Sequence, residues 1–360
     1  MCYLTLKCNI PFIHLSDGEK KMKLTFERMD LNLRHTFRIS RGAEDVARNV
    51  RVVLSDGALE GYGESAPSGY YGQNQETVAE TLTAIAPLLS EKDPFQVEEI
   101  ISSLVKQFPR SLAAVSAVDI ALHDLIAKRL GVPLYRFFGL TKENTPLTSF
   151  TIGIDTIEKM IEKVKEARQY PVLKVKVGFE NDLEAIAAIR RETDATIRVD
   201  ANCAWTVEEA IRKIRELSAY NIEFVEQPVE PGSPEALRKV RENVSVPIIS
   251  DESSVVPEDV PKLFGCVDGI NIKLTKCGGL RQALRMIYTA KSAGLKVMLG
   301  CMIESSISIT AAAHLSPLAD YADLDGNLLI KDDPFCGVTV KEGKLILPDG
   351  PGLGITPRCG

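Results

Sequence analysis

Two short runs, Leu173-Lys174-Val175-Lys176-Val177-Gly178 and Thr196-Ile197-Arg198-Val199-Asp200, enclose one amphipathic stretch from Leu183 to Arg190. The runs are brief, rich in β-branched residues and bounded by turn formers, while the stretch between them repeats its apolar residues at helical spacing. The unit reads as strand, helix, strand. Working outward, the same alternation occupies everything after Pro146. Strand-like runs fall at Ser149 to Ile152, Leu173 to Val177, Thr196 to Asp200, Ile222 to Glu226, Pro247 to Asp251, Gly269 to Lys273, Lys296 to Gly300 and Tyr321 to Asp325. They stand about 22–27 residues apart, and each gap is expected to hold one helix, such as Val207 to Leu217. Eight such units predict an α/β fold, a (β/α)8-type barrel, with its functional side chains at the C-terminal ends of the strands. A doubly wound sheet needs a glycine-rich nucleotide fingerprint after its first strand, and Thr151-Ile152-Gly153 is not one.

The segment before the barrel has a different pattern. From Lys23 to about Ser68, alternating apolar residues and glycines predict an antiparallel meander, with Val50, Val52 and Leu54 on one strand, a turn at Ser55-Asp56-Gly57, and Leu59, Gly61 and Gly63 beyond it. Between Glu76 and Arg129 the spacing turns helical: Ala113, Ala117, Ala121 and Leu125 share one face, and Gly131-Val132-Pro133 ends that helix. Residues 22–145 are thus expected to form an α+β capping domain, 146–330 the catalytic barrel, and 331–360 a β-like tail that returns to pair with the meander. Residues 1–21 lack a signal-peptide pattern. They read as a non-native or disordered extension, with translation starting at Met22.

With 360 residues, 45% apolar and 26% charged, the chain is long enough for a large core, and a net charge of −6 leaves no basic face for nucleic acid. No apolar run nears the roughly 20 residues of a membrane span. The eight cysteines are scattered without a CxxC pair, and the four histidines (His14, His35, His123, His314) lack metal-ligand spacing. This pattern points to reduced thiols in the cytoplasm. Homo-oligomerisation stays open.

Asp200, Glu226 and Asp251 each close a predicted strand, so a barrel would gather them at its mouth. Three hard oxygen ligands from three strands suit Mg²⁺. Lys174 and Lys176 are two apart on one strand and therefore point to the same side, the barrel interior. Their proximity is expected to depress an ammonium pKa, as a general base requires. Lys273 ends the sixth strand, nearly opposite the second. Lys176 and Lys273 then face each other as two bases, one removing a proton beside a carboxylate and the other returning it to the opposite face, with the metal stabilising the enediolate between. Asp323 and Asp325, two apart on the eighth strand, can both face the mouth and hold a cation.

The motifs that carry these residues resemble the enolase superfamily, in its muconate-lactonizing subgroup. They are Ala117-Val118-Asp119-Ile120-Ala121-Leu122-His123-Asp124-Leu125, Val199-Asp200-Ala201-Asn202, Val225-Glu226-Gln227-Pro228, Ser250-Asp251-Glu252-Ser253 and Lys273-Leu274-Thr275-Lys276-Cys277-Gly278-Gly279. His123 departs from relatives that carry Trp there. Gly300-Cys301-Met302-Ile303-Glu304-Ser305-Ser306 and Asp323-Leu324-Asp325-Gly326 resemble dipeptide epimerases of the L-Ala-D/L-Glu type. That resemblance implies a Mg²⁺-dependent isomerase acting on a small dipeptide. It implies Asp323 and Asp325 on the substrate's α-ammonium, Thr151 and Lys174 as substrate contacts, and Ile303 near the side chain of the inverted residue. Arg38 and Arg41, on an early loop, are candidates to meet an acidic side chain. The alternatives are a cycloisomerase, an o-succinylbenzoate synthase, an N-acylamino-acid racemase, or a catalytically silent barrel that binds a partner.

Overall fold

The computed structural model describes residues 22–358. The reading of residues 1–21 as an extension lies outside the described residues. The chain opens with three antiparallel strands in sequence order, β1 (Lys23–Ile39), β2 (Gly42–Ser55) and β3 (Glu60–Ser65). Val50, Val52 and Leu54 alternate along β2 and are fully buried against helices α1 (Gln75–Leu89), α2 (Val97–Gln107) and α3 (Leu112–Arg129). α3 lies directly on the sheet because β3 offers it no side chains. A Cβ at Gly61 would stand 2.0 Å from the Ala121 carbonyl oxygen, and one at Gly63 1.9 Å from that of Ala117. The expected face of Ala113, Ala117, Ala121 and Leu125 is the buried one, but the opposite face is buried too, since the barrel covers it.

A short helix, α4 (Leu134–Phe137), leads into the barrel. Its strands are β4 (Phe150–Ile152), β5 (Val172–Lys176), β6 (Thr196–Asp200), β7 (Ile222–Glu226), β8 (Ile248–Ser250), β9 (Gly269–Lys273), β10 (Lys296–Gly300) and β11 (Tyr321–Asp323), each parallel to its neighbours in chain order. The ring closes through a parallel bridge between Thr148 and Ala322, where the Ser149 N–H donates to the Ala322 carbonyl at 3.1 Å. Leu173 and Val175 face outward into the helix layer and the alternate residues face in. Below the mouth the interior is filled by Phe224, Ile249, Met298 and Tyr321. The Arg198 guanidinium packs between two of those rings, 5.2 Å from Phe224 and 5.0 Å from Tyr321. The barrel is therefore closed beneath its catalytic end.

Two expectations are corrected. Between β8 and β9 the chain makes a 3₁₀ run, Pro257–Leu263, in place of an α-helix. Pro261 inside that run has no N–H and its ring opposes an α-helical turn, so the tighter helix is kept short. The tail strands also pair with one another and not with the meander: β12 (Phe335–Cys336) with β15 (Thr356–Pro357), and β13 (Thr339–Lys341) with β14 (Lys344–Ile346). Pro334, Pro348, Pro351 and Pro357 remove ladder donors from this stretch, which limits it to short pairings. The tail meets the meander without a strand ladder: beside the bridge between Leu33 and Ile330, Asp332 accepts from the Asn32 backbone N–H at 3.0 Å, and the Phe335 ring packs 5.7 Å from that of Tyr62 on β3.

Candidate active site

The inward alternation of β5 sends Lys174 and Lys176 to the catalytic end, and the ends of β6, β7 and β8 bring Asp200, Glu226 and Asp251 beside them. The Lys174 ammonium lies 2.7 Å from Asp323 Oδ2, 2.7 Å from Glu226 Oε2 and 3.0 Å from Asp200 Oδ2. Lys176 Nζ is 2.7 Å from the same Asp200 oxygen. Across the ring, Lys273 Nζ is 2.9 Å from Asp251 Oδ2, and Lys276 binds Asp251 Oδ1. The remaining oxygens are aimed by neighbours. Asn271 Nδ2 donates to Glu226 Oε1 at 2.7 Å, and the Asn202 N–H donates to Asp200 Oδ1 at 2.9 Å. Gly300 makes room for that asparagine, since a Cβ there would fall 2.5 Å from Asn271 Oδ1.

The turns that leave β6 and β7 are strained. Asn202, Cys203 and Gln227 have φ of 44°, 67° and 33°, in the left-handed region that costs non-glycine residues energy. Gln227 is held there by its side chain. Its Oε1 accepts from the Asp251 N–H at 2.9 Å and the Ser253 N–H at 3.1 Å, and its Nε2 donates to the Val229 carbonyl at 2.8 Å. The residue after one strand-end acid thus builds the turn that presents the next.

Burial raises carboxylate pKa values and lowers those of lysines, and opposite charges reverse both. Burial pushes Asp200 up, but Lys176 and Lys174 hold it well below the usual carboxylate range. Asp251 is likewise pushed up by burial and held far down by Lys273 and Lys276. Glu226 goes the other way, to about 7, through burial and the repulsion of Asp200. Asp325 also rises to about 7, from burial and the charge of Asp323. The expected depression of a lysine pKa is not found at Lys174. Burial lowers it, but Asp323, Glu226 and Asp200 together carry it well above the ordinary value. Lys273 is raised in the same way, chiefly by Asp251 against burial.

Among the described residues no three His, Cys, Asp or Glu side chains surround one common point. Lys174 lies between Asp200 and Glu226, and Asp251 is turned to its two lysines. The donor set nevertheless fits Mg²⁺. All three are hard oxygen ligands on adjacent strands, all are buried, and Glu226 Oε2 receives no aligned hydrogen bond.

Above these groups lies a cavity of about 380 Å³. Lys174, Lys176, Asp251, Lys273, Asp323 and Asp325 reach it from the barrel, and Thr151 and Ile303 stand in its wall. Asp325 Oδ2 accepts from the Thr151 N–H at 2.6 Å, and Asp323 Oδ1 from Ser149 Oγ at 2.6 Å. Ile303 packs beside Ala47 and Met29 of the cap. Phe37, Ile39, Tyr70 and Tyr71 close the cavity from above. Arg41 also borders it, but its guanidinium is paired with Glu252 at 2.7 Å, and Arg38 points to solvent with its carbonyl accepting from the Ile154 N–H. Arg41 is thus taken up by Glu252, and Arg38 does not line the cavity. Lys276, Asn271, Gln227 and Glu64 were not singled out from sequence. Glu64 of β3 accepts from Ser305 Oγ at 2.6 Å and from the Ser305 N–H at 2.9 Å, which fastens the cap to the loop after β10.

Known proteins share this architecture. Residues 22–139 match the mandelate racemase / muconate lactonizing enzyme N-terminal domain, and residues 157–359 the enolase C-terminal domain-like family. The chain is 44% identical over 337 residues to the L-Ala-D/L-Glu epimerase of Bacteroides thetaiotaomicron, covering 93% of this chain and 88% of that one. The dipeptide epimerase of Enterococcus faecalis, solved with Mg and the dipeptide L-Leu-L-Tyr, superposes with a TM-score of 0.89 at 35% identity, over 93% of this chain and 99% of that one. The dipeptide epimerase of Cytophaga hutchinsonii, solved with Mg and D-Ala-L-Val, gives 0.90 at 31% identity, over 94% and 96%. With both of its domains matched across most of the length, the chain belongs to the mandelate racemase and muconate lactonizing enzyme family of the enolase superfamily.

Proposed function

We propose that this chain is a Mg²⁺-dependent dipeptide epimerase that inverts the α-carbon of the C-terminal residue, with L-Ala-D/L-Glu or a related L-Ala-L-Xaa dipeptide as substrate. One observation carries the reading. Lys176 and Lys273 enter a single cavity from the second and sixth strands of an eight-membered ring, half-way round from each other, with Asp323 and Asp325 on the same cavity wall. Asp200, Glu226 and Asp251 would hold Mg²⁺, which supplies positive charge next to the substrate carboxylate and so acidifies the α-proton.

One lysine, in its neutral form, takes the α-proton, breaking the C–H bond. The other, as an ammonium, delivers a proton to the opposite face and re-forms that bond with inverted configuration. The two lysines exchange roles in the reverse direction. Asp323 and Asp325 receive the α-ammonium of the first residue, aimed by Ser149 and the Thr151 N–H. Lys174 balances the charge of the acids around it, and Ile303 offers the second side chain an apolar wall. Phe37, Tyr70 and Tyr71 limit water above the reacting carbon.

The cap at residues 22–145, the barrel at 146–330 and the tail at 331–360 are the working units of this reading. A cytoplasmic setting agrees with the five described cysteines, all free thiols. No helix among the described residues is long and apolar enough to cross a membrane.

The test is isotope exchange. A library of dipeptides is incubated with the protein and Mg²⁺ in D₂O and followed by mass and chirality. One α-deuterium at the C-terminal residue, with epimerisation, is the expected result. Absence of deuterium across the library rejects the reading. Turnover of N-acylated amino acids in preference to free-amine dipeptides replaces it with a racemase.

A further inference from the structure

Lys276 is a fourth buried lysine at the catalytic end, and the proton transfer above does not use it. Its side chain is fully buried and does not border the cavity, so it cannot touch substrate. It sits on a single helical turn, Leu274–Cys277, which follows β9 directly. Gly278 and Gly279, with φ of 95° and 108°, turn the chain away afterwards. Three residues beyond Lys273, the side chain folds back beneath the strand end. Its ammonium meets Asp251 Oδ1, the Asp251 carbonyl at 2.7 Å, and the carbonyls of Ser254 and Asn271, both at 3.3 Å. An ammonium has three donors, and here all of them are directed at fixed oxygens.

We infer that Lys276 is a positioning residue that holds Asp251 by Oδ1 and thereby turns Oδ2 toward Lys273. The carboxylate torsion of an aspartate is broad and nearly two-fold, so the side chain alone does not choose which oxygen faces inward. Among the described residues, the side-chain partners of Asp251 are Lys276 on one oxygen and Lys273 on the other. Lys276 is anchored to backbone of β9 and of the loop after β8, whereas Lys273 borders the open cavity. The fully buried lysine sets the carboxylate, and the carboxylate then sets the lysine that faces the cavity. Without Lys276, Asp251 Oδ1 loses its fixed protein donor, and the Lys273 ammonium on Oδ2 loses its defined direction toward the α-carbon.

This inference rests on the two-base reading, and the experiment separates the two. Lys276→Met and Lys276→Gln are compared with Lys176→Ala and Lys273→Ala. Mg²⁺ binding to each substrate-free protein is first measured by calorimetry, so that exchange is read at saturating metal. Deuterium uptake at the α-carbon is then followed from each epimer of the dipeptide separately. Lys276→Met is expected to lose at least about tenfold of the exchange from the epimer that Lys273→Ala also loses, while the other epimer stays within about threefold of the parent. Lys276→Gln retains a donor for Oδ1 and is expected to fall between, which keeps the test available if the methionine variant does not fold. Equal loss from both epimers, or no loss from either, overturns the positioning role. If Lys176→Ala and Lys273→Ala do not differ in the epimer they lose, it is the two-base reading that fails.

Discussion

Arg41, at the turn between β1 and β2, and Glu252, just past the end of β8, meet at 2.7 Å and join the cap to the barrel over the cavity. The guanidinium also lies 4.2 Å from the centre of the Tyr70 ring and donates to the Asn202 carbonyl at 2.9 Å. Ser40 Oγ donates to that same carbonyl at 3.1 Å. The tip of the cap hairpin is therefore fastened to the turns after two different barrel strands. Glu252 is almost wholly buried while Arg41 keeps partial contact with water, so the pair depends on the arginine to neutralise a carboxylate that burial pushes toward its protonated form.

Arg41→Met should leave Glu252 without its cation. We expect a loss of about 2 kcal/mol in urea unfolding, below the full value for a buried pair because the arginine is partly hydrated. A fall of about tenfold in kcat/KM should accompany it as the cap loosens. Adding Glu252→Gln should recover most of the stability, and a double-mutant cycle measures this directly. Equal stability of parent and Arg41→Met would deny the contact its role.

Lys176→Ala and Lys273→Ala should each reduce epimerisation by about a thousandfold or more, within the range or slightly beyond that of a lost general base. Each should retain exchange from a single epimer, because the surviving lysine still works on its own face. Proton NMR in D₂O distinguishes the two. Full activity in either variant removes that lysine from the base role.

Asp325→Asn keeps an oxygen able to accept from the Thr151 N–H but removes charge from the α-ammonium site. The expected result is a KM for free-amine dipeptides raised by about tenfold or more, the scale of one charged hydrogen bond. An N-acetylated dipeptide should bind the variant and the parent alike. A KM unchanged for the free amine would move ammonium recognition elsewhere.

His314 provides a pH signature of the fold. Its Nδ1 accepts from the Tyr135 N–H at 3.2 Å while its Nε2–H donates to the Leu353 carbonyl at 3.0 Å, an arrangement only the neutral ring can make. Burial pushes its pKa down to about 4. The unfolded ring titrates near 6.5, so the unfolded chain binds the extra proton between those values. Stability from this group is therefore complete above about pH 6.5 and is lost as pH falls toward 4, with about 2 kcal/mol gone by pH 5. Urea melts at pH 7 and pH 5 on the parent and on His314→Gln check this. An equal pH slope in both proteins would exclude His314 as its source.

Much of the architecture was legible in sequence because its signals are local. The period-two alternation of Leu173 to Val177, with a helical stretch after it, depends only on where successive side chains point along a strand. The same rule aimed Lys174 and Lys176 inward, and the count of strands set Lys273 across from them. Asp200, Glu226 and Asp251 were legible as strand ends. What their partners would be was not. Lys174 is raised, and not lowered, because three carboxylates from three other strands converge on it. Arg41 is taken up by Glu252, and Glu64 reaches Ser305 across 241 positions of sequence. Sequence by itself determined the barrel, its alternation and the identities of the chemical groups at its mouth. Tertiary structure alone decided which charge each group meets, because a buried polar atom must be satisfied by whatever the closed ring and the cap bring within about 3 Å of it.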